Sequence, residues 1–211
     1  MTTMTRSDLL IQQASQDTTD PRLILLLHGV GSDATSMAPL GRYLAERLPD
    51  ANIVCLQGPY AGDGGRGRQW FSIAGVTEEN RPERVAQALP VMISKLSAWQ
   101  NQFGATPART VLIGFSQGAI MALSASAQST APAHTVVALA GRFPRLPHAV
   151  AVGVRFHIIH GLDDPVIAPQ HGQSAAEHLS ALGAQVSLDL LPRTGHSITR
   201  EMAQVVCSRL D

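Results

Sequence analysis

At 211 residues, with 45% hydrophobic and 15% charged side chains, the chain is long enough to bury a substantial core and too apolar to be disordered. A formal net charge of zero supplies no attraction for nucleic acid or an anionic membrane. No segment reaches membrane-spanning length, and the stretch around Arg6 lacks the apolar run of a signal peptide. The composition therefore predicts a single domain over 1–211, soluble and cytoplasmic, as a monomer or a homodimer. Cys55 and Cys207, in a predicted strand and a predicted terminal helix, form no metal-ligand pattern and read as free core thiols.

In chain order, Leu9-Leu10-Ile11 and Arg22 to His28 read as strands separated by the polar turn Ser15 to Pro21. The run Leu23-Ile24-Leu25-Leu26-Leu27 is apolar on both faces, as a central strand covered on both sides must be. A helix is predicted over Met37 to Leu48, a strand over Ile53 to Leu56, and then a glycine-rich loop from Gln57 to about Asn80. Val85, Leu89, Met92, Leu96, Trp99 and Phe103 recur at helical spacing, with Pro90 expected to kink or open that helix. An apolar strand beginning at Val111 follows, then strands at His134 to Ala140, Val154 to His160 and Gln185 to Leu191, with helices over Pro169 to Leu182 and Ile198 to Leu210. Strands alternating with helices predict an α/β fold with a mostly parallel sheet and right-handed crossovers.

The most informative stretch is Gly114-Phe115-Ser116-Gln117-Gly118, entered from an apolar strand and left by a small-residue helix. That is the spacing of a nucleophile elbow, a tight turn that thrusts the serine hydroxyl out at the strand's end. A serine hydroxyl is a weak nucleophile unaided and needs a base oriented by an acid. Glu177 and Asp189 fall inside a helix and a strand, whereas Asp163 and Asp164 directly follow an apolar strand. His171 and His178 read as the solvated face of a helix. His196, in Gly195-His196-Ser197 between the last strand and the last helix, occupies the position of the base. Acyl transfer also requires donors for an oxyanion; Gln117, following the serine, and Val30, in His28-Gly29-Val30-Gly31, supply the candidate N–H groups. His28 reads as a structural residue of that turn.

Two patterns are decoys. Gly62-x-Gly64-x-x-Gly67 matches a dinucleotide fingerprint in letters but does not open a helix after the first strand. His157 and His160 have an odd separation on a strand and so point to opposite faces, which excludes them as a metal pair. No metal and no cofactor are expected.

The chain resembles the small serine carboxylesterases and acyl-protein thioesterases of the α/β-hydrolase superfamily. The residues that carry the resemblance are Leu26 to Gly31, Gln69-Trp70-Phe71, Gly114 to Gly118, His160-Gly161-x-x-Asp164-Pro165-Val166 and Gly195-His196. It implies an α/β-hydrolase fold without a large lid, acting on a small-molecule ester or thioester through an acyl-enzyme on Ser116. By the same resemblance the acid is Asp164, before the proline, with Asp163 the runner-up, and Trp70 and Phe71 border the acyl site. In the thioesterase branch an Asp often follows that aromatic pair; here it is Ser72. The two rings are expected to wall a shallow apolar site with Val166 and Ile167, at the end of a mobile loop. A peptidase or lactone hydrolase on the same fold is the alternative, as is a non-catalytic binding module retaining the hydrolase shell.

Overall fold

The computed structural model describes residues 8–15 and 17–210. The reading of the stretch around Arg6 and one residue of the turn over 15–21 fall outside them. The elements are β1 (Leu9–Gln12), β2 (Arg22–Leu27), α1 (Ala38–Ala45), β3 (Ala51–Leu56), β4 (Tyr60–Ala61), β5 (Arg68–Gln69), α2 (Arg81–Phe103), β6 (Thr110–Phe115), α3 (Gln117–Ser126), β7 (Thr135–Leu139), β8 (Arg155–Gly161), α4 (Gln170–Ala181), β9 (Gln185–Leu191) and α5 (Arg200–Leu210). Seven strands form one sheet in the order β1-β3-β2-β6-β7-β8-β9. All neighbours are parallel except β1, which pairs antiparallel with β3 at the edge.

The doubly apolar run of β2 explains its central place. Leu23, Leu25 and Leu27 face a core shared with α2, α3 and α4, whereas Ile24 and Leu26 face a second core shared with α1 and α5. Both cores are continuous under the sheet, so β2 and β6 are buried on both faces. Cys55 and Cys207 lie buried in the second core, and burial pushes the Cys55 thiol up to about 12. The helix α2 does not open at Pro90: it runs unbroken, with Pro90 and Ala86 both on its exposed side. The Ala86 carbonyl, deprived of a partner by the missing proline N–H, therefore faces water.

The edge strand is tied down by one carboxylate. Asp8 accepts from Lys95 Nζ at 2.7 Å, from Trp99 Nε1 at 2.8 Å and from the Gln57 N–H at 2.8 Å, linking β1 to α2 and to the end of β3. Lys95 is the only lysine in the chain.

The segment after β3 departs from the sequence expectation. Instead of a loop without fixed contacts, β4 and β5 form a small hairpin, and Ser32 and Arg68 bridge it to the turn after β2. Asp63 then straps the next residues: Oδ1 accepts from Gln69 Nε2 at 2.7 Å, and Oδ2 accepts from Ser72 Oγ and from the N–H groups of Ile73 and Ala74 at 2.7–2.9 Å. The glycines allow the turns, but the carboxylate fixes the path.

Candidate active site

The loops at the carboxyl ends of β2, β6, β8 and β9 converge on one site. Ser116 sits between β6 and α3 with φ 54° and ψ −115°, a conformation costly for a residue with a side chain. Its N–H donates to Leu139 O at 2.9 Å, and its carbonyl accepts from Ala119 and Ile120, which hold the turn. The flanking glycines are required by close approach. A Cβ on Gly114 would lie 2.3 Å from Gly118 O, and one on Gly118 would lie 2.2 Å from Leu27 O.

The structure brings Ser116, His196 and Asp164 together. Ser116 Oγ lies 2.9 Å from His196 Nε2, and His196 Nδ1 lies 2.7 Å from Asp164 Oδ2. A carboxylate can only accept, so Nδ1 carries the proton and Nε2 is left to accept from the serine hydroxyl. Burial pushes Asp164 up, but bonds from His196 and from the Ile167 and Val166 N–H groups outweigh it and hold its carboxyl below the ordinary range. A hydroxyl so placed can pass its proton to the imidazole as it attacks. Asp163, next in the chain, is exposed, with its N–H donating to Thr194 O at 3.0 Å.

His160 stands in the sequence both as half of a false metal pair and as the start of the stretch that leads to Asp164. It is buried beside Asp164, its Nε2 2.8 Å from Ile167 O and 3.3 Å from Asp164 Oδ2. The Ile167 carbonyl fixes Nε2 as the donor, so the ring buttresses the same loop that the carboxylate caps. His157, on the other face, bonds Ser187 Oγ at 2.8 Å. His28 behaves as the structural residue it resembles: Nδ1 donates to Gly29 O at 2.7 Å, Nε2 accepts from the Gly58 N–H at 2.9 Å, and burial lowers its pKa.

Val30 and Gln117 flank Ser116, and neither backbone N–H has an acceptor among the described residues. The Gln117 side chain is committed elsewhere. Its Oε1 accepts from the Trp70 N–H at 2.8 Å and its Nε2 donates to Phe71 O at 2.7 Å. Trp70 departs from expectation. It is fully buried, its indole N–H donates to His28 O at 2.9 Å, and it lines neither cavity at Ser116. An indole with a buried acceptor faces inward, and only Phe71 of the pair reaches the site.

Two cavities meet at Ser116. The smaller, about 350 Å³, is lined by Phe71, Ile120, Val166 and Ile167. The larger, about 600 Å³, lies between the start of α1 and the segment before α5, against Met37, Leu40, Tyr43, Phe115 and Ile198, and was not foreseen. Val30, Ser116 and Val166 line both, and Val166 is 66% exposed. His171 and His178 are half-buried rather than solvated: His171 Nε2 accepts from Arg142 at 3.2 Å, and His178 Nε2 donates to Pro147 O at 2.6 Å.

The Asp63 strap positions Phe71 and carries an expected result. Hydrogen bonds from Gln69 first, and then from Ala74, Ser72 and Ile73, hold the Asp63 carboxyl down to about 2. A depressed pKa means that this tie is fully present above the ordinary aspartate range and is lost as pH falls through about 2. In Asp63→Ala, the Ile73 and Ala74 amides should exchange with solvent deuterium faster than in the wild type at neutral pH. Unchanged exchange would show that the carboxylate does not hold the segment.

Comparison with known proteins bears on the family and the fold. A family model described as phospholipase/carboxylesterase matches residues 10–211. The chain is 39% identical over 196 residues to esterase YpfH of Escherichia coli strain K12, covering 93% of this chain and 84% of that protein. Its structure is similar to that of esterase PE8, with a TM-score of 0.87 and 27% identity over 97% of each chain. The Bacillus cereus carboxylesterase has the same fold, with a TM-score of 0.79 and 21% identity, covering 96% of this chain and 92% of that one.

Proposed function

The chain belongs to the phospholipase/carboxylesterase family of α/β-hydrolases and is a carboxylic ester hydrolase, and we propose that it works through an acyl-enzyme on Ser116. The observation that carries this reading is the relay from Ser116 Oγ to His196 Nε2 and from His196 Nδ1 to Asp164, at 2.9 and 2.7 Å. Ser116 Oγ attacks the ester carbonyl carbon while His196 Nε2 takes its proton. The oxygen that becomes negative accepts from the Val30 and Gln117 N–H groups, the latter at the N-terminus of α3 where the helix dipole adds to the attraction.

Collapse of the tetrahedral intermediate breaks the carbon–oxygen bond of the leaving alcohol, which receives the proton from His196. Water then attacks the acyl-enzyme, His196 takes its proton, and the carboxylic acid leaves as Ser116 is restored. Asp164 holds the imidazole tautomer and stabilises its cationic form. None of these steps calls for a metal or a cofactor. A small-molecule ester fits the two cavities, and the buried Cys55 thiol suits a reducing cytoplasm.

A fluorophosphonate probe is expected to modify the protein stoichiometrically, and peptide mass analysis to find the adduct on Ser116. Hydrolysis of 4-nitrophenyl esters without such an adduct would overturn the serine mechanism and leave the family's activity unexplained.

A further inference from the structure

The two cavities differ in which catalytic group they meet. His196 lines only the larger, and Gln117 only the smaller. On the serine mechanism proposed above, His196 must hand its proton to the departing oxygen. The leaving alcohol therefore lies in the larger apolar cavity and the acyl chain in the smaller one. That acyl cavity is not wholly apolar. Glu78, Arg81, Arg142 and His171 form part of its wall.

The charges on that wall do not balance. Arg142 grips Glu78 with two nitrogens, at 2.6 and 3.1 Å, and spends further donors on Phe143 O and on His171 Nε2. Arg81 gives Glu78 one bond at 2.6 Å, and its other guanidinium N–H groups have no acceptor among the described residues. Two guanidinium groups thus face one carboxylate, and burial first, then Arg142, keeps the pKa of His171 low. The arginine side chains are only 16% and 17% exposed, whereas Glu78 is 60% exposed. A largely desolvated cation with spare donors beside an apolar channel is arranged to receive an anion.

We propose that the acyl cavity selects chains that end in a carboxylate, so that the preferred substrates are half-esters of dicarboxylic acids, with Arg81 as the group that binds the free carboxylate. The surplus of one positive charge matches a monoanion better than a phosphate, which carries nearly two negative charges at neutral pH. The competing reading is that the ions only fasten the segment before α2 to the turn after β7.

The test compares kcat/KM for mono-4-nitrophenyl adipate with that for 4-nitrophenyl hexanoate, of equal chain length, each corrected for uncatalysed hydrolysis. The wild type should favour the adipate by about tenfold or more, the scale of a charged hydrogen bond. Arg81→Gln should lower the adipate-to-hexanoate ratio by about tenfold, Arg81→Lys should keep part of it, and Arg209→Gln, at the distant pair with Asp189, should leave it unchanged. A wild type that prefers the hexanoate overturns the proposal. So does an Arg81→Gln protein that loses both activities by the same factor, which is the signature of a fastening role. If hexanoate is hydrolysed and the fluorophosphonate adduct forms on Ser116 without any adipate preference, the anion site alone has failed. If no adduct forms, the serine mechanism has failed with it.

Discussion

Replacing Ser116 with alanine is expected to lower kcat by about a million-fold, close to 8 kcal/mol of transition-state stabilisation. On the proposed mechanism the size follows from what is removed, which is both the atom that bonds to the acyl carbon and the donor on His196 Nε2. The fold should survive, because the turn is held by backbone bonds to Leu139, Ala119 and Ile120 that alanine retains. Alanine at φ 54° is also no more strained than serine. Circular dichroism and thermal melting check the fold, and initial rates on 4-nitrophenyl butyrate check the loss. Retention of a tenth of the wild-type rate would sink the nucleophile assignment.

The second large effect distinguishes neighbouring carboxylates. Asp164→Asn should reduce kcat by about ten-thousand-fold, as for other buried triad aspartates. Asparagine fits the space, but its amide can present N–H groups to His196 Nδ1 and so stabilise the tautomer that cannot accept from Ser116. Asp163→Asn should change kcat by less than about threefold, since its exposed side chain makes no bond to the imidazole among the described residues and a surface change is usually small. The two variants, assayed side by side, give a ratio of several thousand. The reverse ranking would move the acid to Asp163.

That pair also marks where local pattern alone stopped and the family resemblance chose Asp164. Chain order and loop position single out Ser116 and His196, because each sits in a short local pattern beside a strand whose apolar run is plain. They cannot choose between two adjacent aspartates. The choice depends on which side chain turns inward after β8, and that is set by the Val166 and Ile167 N–H groups closing on Asp164 Oδ1 at 2.8 and 2.9 Å.

Trp70 and Asp63 were misread or missed for a related reason. An aromatic after an irregular loop gives no periodicity to say which way it faces, and the acceptor that turns Trp70 inward belongs to His28, far away in the chain. Asp63 lies among glycines, and its partners are spread over Gln69 to Ala74 without a repeating interval. The larger cavity is bounded by Met37, Leu40 and Tyr43 on one side and Ile198 on the other. Neither stretch is unusual alone, and the space exists only because β2 and β9 carry them to the same end of the sheet.

The solitary lysine has a practical consequence for measuring this enzyme. Activated aryl esters also acylate amines, and on most proteins that side reaction blurs a count of active sites. Here the one side-chain amine, Lys95, lies 2.7 Å from Asp8 in an ion pair that occupies it. On the proposed serine mechanism, the nitrophenolate released by acylation of Ser116 should therefore be counted without a contribution from unpaired lysine side chains.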